Sequence, residues 1–222
     1  MKPDINTTNL ILKKNQKIMI IQIFKVIASL LMGVSCIETV KRHEMILFDF
    51  TTANNVNMWS EISDTVREVG ASKASLVLQK TRVFQRGVFF TLLNPQPNGA
   101  CFAGVRMPVE WNLSNYQNIQ ITCRGQGKND RYKIVLRHRH QSANNDTEYE
   151  QIFVAPTEGF STVTLPMSEF KAYFRGQPVP DAEPLDTTAI TMFGLQVFGG
   201  VYESYKQSGV SALEIEKIIA TE

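Results

Sequence analysis

From residue 45 onward, apolar and polar positions alternate in short runs divided by turn-forming residues. Ile46, Leu47 and Phe48 open the series, and further runs cover 75–78, 88–93, 101–105, 119–123, 132–140, 149–154, 161–165, 190–197 and 212–219. The period is two. Ile119, Ile121 and Cys123 fall on one face of their run, Gln120 and Thr122 on the other, as expected of a strand with one buried face. No amphipathic run extends beyond about two helical turns. About ten strands at regular spacing predict an all-β fold, a single β-sandwich or jelly roll. Asn98-Gly99 is a strong hairpin signal, because both residues tolerate positive φ; it predicts 101–105 as the return strand of 88–93. Residues 124–130, with Gly125 and Gly127, read as a loop.

The pattern breaks in the first 44 residues. Residues 18–37 form the longest apolar run, and Lys25 splits it, leaving 26–34 as a short apolar core. Lys13, Lys14, Lys17 and Lys25 precede that core, and Gly33, Ser35 and Cys36 lie at its end. This is the layout of a secretory signal peptide, cleaved near Ser35 or Cys36. Met19 is an alternative start. A mitochondrial presequence is the competing reading; acids are scarce, but no Arg precedes Arg42. A retained anchor is the third. Residues 1–44 are therefore assigned to a targeting segment and 45–222 to one sandwich domain. The secretory pathway is favoured, with the mitochondrion as the alternative.

Charge sharpens the division. The 222-residue chain carries +2, yet residues 1–44 carry +4, so the body is slightly acidic at −2. That excludes a general nucleic-acid binder. A hydrophobic share of 43% and a charged share of 20% are ordinary for a globular domain. A body of this length buries roughly 70% of its chain surface and needs no metal or disulfide staple. Cys101 and Cys123 fit either a disulfide or two buried thiols, the latter preferred. Sequons at Asn6, Asn112 and Asn145 barely discriminate.

Candidate chemistry is sparse. His138 and His140, two apart in one run, would share a strand face and form half a metal site, with no third histidine beside them. Arg137 and Arg139 would face oppositely, below Lys133, and with Arg124 form a basic strip; the plainer reading pairs that face with Glu148 or Glu150 across a hairpin. Glu148 and Glu150 lie about 7 Å apart by strand rise, and basic neighbours are expected to keep both ionised. Trp59 and Trp111 could stack on a sugar face or pack at the core rim. Asp64 and Arg175 sit in loop contexts, as caps or ligand contacts. Gly125-x-Gly127 lacks the third glycine and the helix of a dinucleotide site, and no G-x-S-x-G elbow occurs. No cofactor is expected.

Several segments together resemble one known family. They are Leu47-Phe48-Asp49-Phe50, Trp59, the stretch 63–72, Phe89 to Pro95, Gly99 to Val105, and Cys123-Arg124-Gly125-Gln126-Gly127. Tyr132-Lys133, Leu165-Pro166, Phe170, Phe174-Arg175-Gly176 and Gly194-Leu195-Gln196 complete the set. The chain is similar in these to the complex I intermediate-associated protein 30 family over 46 to about 219. The resemblance implies a galactose-binding-domain-like jelly roll and a non-enzymatic assembly factor or chaperone holding intermediates of mitochondrial respiratory complex I. It supplies no catalytic residues.

Two functions follow as expectations. One is a protein-binding module of the assembly-factor kind. The other is a secreted carbohydrate- or glycoprotein-binding sandwich of the same fold. The candidate binding residues are Trp59, Asp64, Trp111, Arg124, Arg137 and Arg175. A hydrolase lacks its residues.

Overall fold

Among the described residues thirteen strands, every pair antiparallel, build two stacked sheets. The computed structural model describes residues 19–20, 43–66, 68–141 and 147–222. The predicted targeting segment, its cleavage site near Ser35 or Cys36, and the sequons at Asn6 and Asn145 lie outside the described residues.

The strands are β1 (Glu44–Asp49), β2 (Ser60–Glu61), β3 (Lys73–Lys80), β4 (Gln85–Leu93), β5 (Phe102–Trp111), β6 (Asn118–Gly127) and β7 (Arg131–His138). There follow β8 (Glu148–Val154), β9 (Ser161–Pro166), β10 (Lys171–Phe174), β11 (Gln177–Pro178), β12 (Ile190–Phe198) and β13 (Gly209–Thr221). One sheet runs β3-β4-β13-β6-β9, with β1 also on β13; the other runs β11-β10-β8-β7-β12-β5-β2. β13 is long enough to pair β4 along its first half and β1 along its second. β2, β10 and β11 exceed the expected strand count because two to four residues carry no readable period.

The core lies between the sheets. Phe89, Ile119, Ile121, Cys123, Leu213 and Ile215 come from one layer; Tyr132, Ile134, Leu136, Phe193 and Leu195 come from the other, all fully buried. Each large apolar side chain so buried contributes about 1.5–3 kcal/mol. Alternation holds along β13 until a bulge between Ile215 and Lys217 inserts one residue, after which Ile218 and Ala220 resume the inward face.

Three local expectations are corrected. The 94–99 turn does not close a hairpin, because β4 and β5 belong to different sheets; the chain crosses the sandwich there, with Gly99 at φ 85°. Arg124, Gly125 and Gln126 belong to β6, whose pairing with β13 continues through Gly127. Gly127, at φ 94°, makes the crossing to β7 in the left-handed region that glycine tolerates. Finally, β7 stops at His138, and both Arg139 (φ 50°) and His140 (φ 56°) turn away in positive φ. His138 and His140 therefore share no strand face.

Candidate functional site: a charged cleft on the seven-stranded sheet

Strand alternation sends one set of side chains outward from the seven-stranded sheet. β7 directs Tyr132, Ile134, Leu136 and His138 inward, which leaves Lys133 and Arg137 on the outer face. The same alternation turns outward Gln196 and Phe198 on β12, Phe102 and Arg106 on β5, and Glu148, Glu150 and Ile152 on β8. These form the floor of a cavity of about 590 Å³. Its walls are Tyr173, Phe174 and Arg175 on one side and the segment with Tyr202 and Glu203. Arg175 (φ 53°) and Gly176 (φ 78°) make the tight turn that raises the first wall. Asp64 and Cys101 close another side. Gly104 keeps the floor low where the chain passes above, since a Cβ there would meet Leu195 O at 2.8 Å and Ile62 O at 3.2 Å.

The floor is built of ion pairs. Lys133 Nζ donates to Glu150 Oε1 at 2.5 Å, and Arg137 Nη2 donates to Glu148 Oε2 at 2.7 Å. The predicted cross-hairpin pairing is thus present, but on a buried floor rather than a solvated face: Lys133 is 7% and Glu150 5% exposed. Burial raises the Glu150 carboxyl to about 7, with Lys133 opposing and Glu148 adding to the rise. The expectation that both carboxylates stay fully ionised fails for Glu150, because desolvation outweighs the single cation. Burial likewise raises the Tyr173 phenol, helped by Glu150 and Glu203.

Asp64 is a cap. Its carboxylate accepts from Ser72 N at 2.8 Å and Ser72 Oγ at 2.7 Å, while Ser72 Oγ accepts from Asn94 N at 3.0 Å. Gly70 is required in this turn, since a Cβ would fall 2.0 Å from Asp64 O. Cys101 stands beside it, its thiol pushed up to about 11 by burial and then by the Asp64 charge. Both Cys101 and Cys123 are free thiols.

The sequence-derived residues separate into three places. Asp64, Arg137 and Arg175 come together at the cleft. Trp59 and Trp111 instead join Phe48 and Phe193 in one aromatic cluster: Phe48 is 4.9 Å from Trp59 and 5.3 Å from Trp111, and Phe193 is 5.9 Å from Trp111. Both tryptophans are half-buried, and neither lines the cleft. Arg124 lies on the other sheet, donating to Glu214 Oε1 at 2.8 Å, where Arg86 also donates to Glu214. His138 is buried, its Nδ1 accepting from Asp186 N at 2.6 Å, with its ring 4.8 Å from Tyr149. Among the described residues no three His, Cys, Asp or Glu side chains gather as a metal site.

Arg106, Phe198, Tyr173 and Tyr202 are not among the residues the sequence marks, and Gln196 enters only through the family resemblance. Arg106 carried a usable signal, as the outward charge of the alternating run Phe102 to Arg106; Tyr202 lies in a loop with no period. Chemically, the cleft offers paired charges below and aromatic rings above, an arrangement that recognises a polar ligand through hydrogen bonds and ring contacts.

The profile of the complex I intermediate-associated protein 30 (CIA30) family matches residues 48–215. An uncharacterized protein of Schizosaccharomyces pombe is 32% identical over 95 residues, 39% of this chain and 42% of that protein. The chain thus spans less than half the length of this curated relative. The family 11 carbohydrate-binding module of a cellulosomal cellulase of Clostridium thermocellum shares the fold with a TM-score of 0.58, at 15% identity, over 80% of this chain and 94% of the module. The same module solved in complex with a β-1,3-1,4-mixed-linked tetrasaccharide gives a TM-score of 0.57 at 15% identity, with the same coverage of both chains. A family 30 carbohydrate-binding module gives 0.50 at 11% identity, over 81% of this chain and 99% of the module. At these identities the likeness is one of fold.

Proposed function

Because the chain belongs to the complex I intermediate-associated protein 30 family, we propose that it is a non-enzymatic binding protein that holds a protein partner in the cleft of its seven-stranded sheet. Intermediates of respiratory complex I are the partner class the family indicates. The observation that supports binding over catalysis is the state of the carboxylate pair. Glu150 is 5% exposed beneath Lys133, and Glu148 is engaged by Arg137, so neither presents an open acid to a ligand. Cys101 stays protonated at neutral pH and is a poor nucleophile. A preformed cleft with fixed side chains lowers the ordering cost of binding.

The test is affinity purification of the tagged full chain from detergent-solubilised mitochondria, followed by native gels. Ile152 on the cleft floor is 37% exposed, so Ile152→Trp fills the cleft without disturbing the core. The wild type should co-migrate with complex I subassemblies, and Ile152→Trp should lose them. Equal recovery by both proteins would place the partner elsewhere.

A glycan in the same cleft is the second reading. Tyr173, Phe198 and Tyr202 supply rings at the cleft, as sugar sites do, and the related fold in Clostridium thermocellum was solved with a tetrasaccharide. A secretory leader would suit this reading. Titration with that mixed-linked tetrasaccharide separates the two.

A further inference from the structure

Most of the charge at the cleft is consumed internally. Asp64 is held by Ser72, Glu150 by Lys133 and Glu148 by Arg137. The Arg175 guanidinium lies over the ring of its neighbour Phe174, 5.0 Å from the centroid. Arg106 differs. It is half-buried in the floor, and among the described residues the one hydrogen bond it makes beyond the sheet ladder is through its backbone oxygen, which accepts from Ser60 Oγ at 3.4 Å. Its guanidinium meets no acid among the described residues.

The sheet register explains why. Arg106 pairs with Ser60 on β2 and with Gly194 on β12, and Gly194 pairs in turn with Val135 on β7. Neither residue paired with it carries a carboxylate, and Glu61, next on β2, pairs with Val105 and is held by Ser63, Lys73 and Ala74. Arg137, also on the floor, pairs with Glu148. Arg106 and Arg137 also border a second cavity of about 430 Å³, with Thr191, Met192 and His140, so the two cavities meet at this pair of arginines.

We infer that Arg106 is the anchor for a carboxylate side chain of an extended acidic peptide segment that crosses the floor from one cavity to the other. A planar guanidinium with free donors takes a carboxylate through two parallel hydrogen bonds, and a half-buried cation without a partner gains from that neutralisation. The peptide class rests on the protein-binding reading above.

The test measures binding of fluorescein-labelled acetyl-(Gly-Glu)3-amide, acetyl-(Gly-Gln)3-amide and trigalacturonate to the full chain by anisotropy and competition. The Glu peptide should bind at least tenfold more tightly than the Gln peptide and weaken with salt. Arg106→Gln should abolish that preference and Arg106→Lys should keep part of it. Equal affinity for the two peptides, both lost in Ile152→Trp, would overturn the acidic assignment and leave protein binding standing. Trigalacturonate outcompeting the Glu peptide in wild type but not in Arg106→Gln would move the anion to a glycan and overturn the peptide class. Binding of the neutral tetrasaccharide alone would overturn both readings.

Discussion

Lys133 Nζ lies 2.5 Å from Glu150 Oε1, and both side chains are less than a tenth exposed. This pair ties β7 to β8 across the cleft floor. Breaking it from one side removes the cation that holds down the Glu150 carboxyl, which must then take up a proton or stay charged without compensation. Lys133→Met should therefore destabilise the protein by about 3 kcal/mol, and Lys133→Met with Glu150→Gln should recover most of that loss. Urea unfolding of the two variants checks it; equal stability of single and double variants would show that the pair is not coupled.

The alternation that placed Lys133 and Arg137 together outward was legible in the sequence, as were the sandwich and most of its core. Their burial was not. It comes from the walls, β10 with the Arg175-Gly176 turn and the segment with Tyr202, none of which carries a period of two long enough to read. The 94–99 turn was misassigned because Asn-Gly reports local φ preference, while the choice of sheet for the next strand is set by packing of distant residues. His140 was placed on β7 because the apolar and polar pattern does not register the positive φ at Arg139. Arg124 was grouped with Arg137 by charge alone, although the crossing at Gly127 puts them on different sheets.

Acid should weaken the fold through His138. Burial, and then the Arg139 charge, hold its imidazole below the ordinary 6.5, against Asp186 and Glu183. The neutral form is the one that accepts the Asp186 N–H. Its contribution is full above 6.5 and is lost as pH falls through the lowered value. Glu150 acts in the opposite sense: raised to about 7, it contributes most below 4.5 and loses that contribution as pH rises through about 7. NMR titration of the His138 ring should give a midpoint below 6.5, and Glu150→Gln should remove the loss of stability between pH 4.5 and 7. A His138 midpoint above 6.5 would contradict the first assignment.

The two thiols of the body should be inert when folded. Burial lifts Cys123 to about 12 and Cys101 to about 11, and only a thiolate reacts readily. Iodoacetamide at pH 7.5 followed by peptide mapping should leave both unmodified in native protein and alkylate both in urea. Rapid native modification of Cys123 would mean that the six-stranded sheet opens.

Glycine positions should split into two classes. Gly127→Ala combines φ 94° with a Cβ only 2.8 Å from Val210 O, and should cost about 1–3 kcal/mol. Gly159→Ala meets nothing within 4 Å and has no positive φ, so it should be neutral or stabilise by up to about 1 kcal/mol. Matching melting temperatures for the two variants would contradict the strained crossing.

Binding through the cleft is tested most directly by site-specific photo-crosslinking. The photoreactive residue p-benzoylphenylalanine is placed at Tyr173, on the cleft wall, or at Val77, exposed on the six-stranded sheet. Each protein is irradiated with purified complex I subassemblies, and the adducts are identified by mass spectrometry. The account predicts adducts to complex I subunits from Tyr173 and none from Val77. Adducts from Val77 alone, or from neither position, would contradict it.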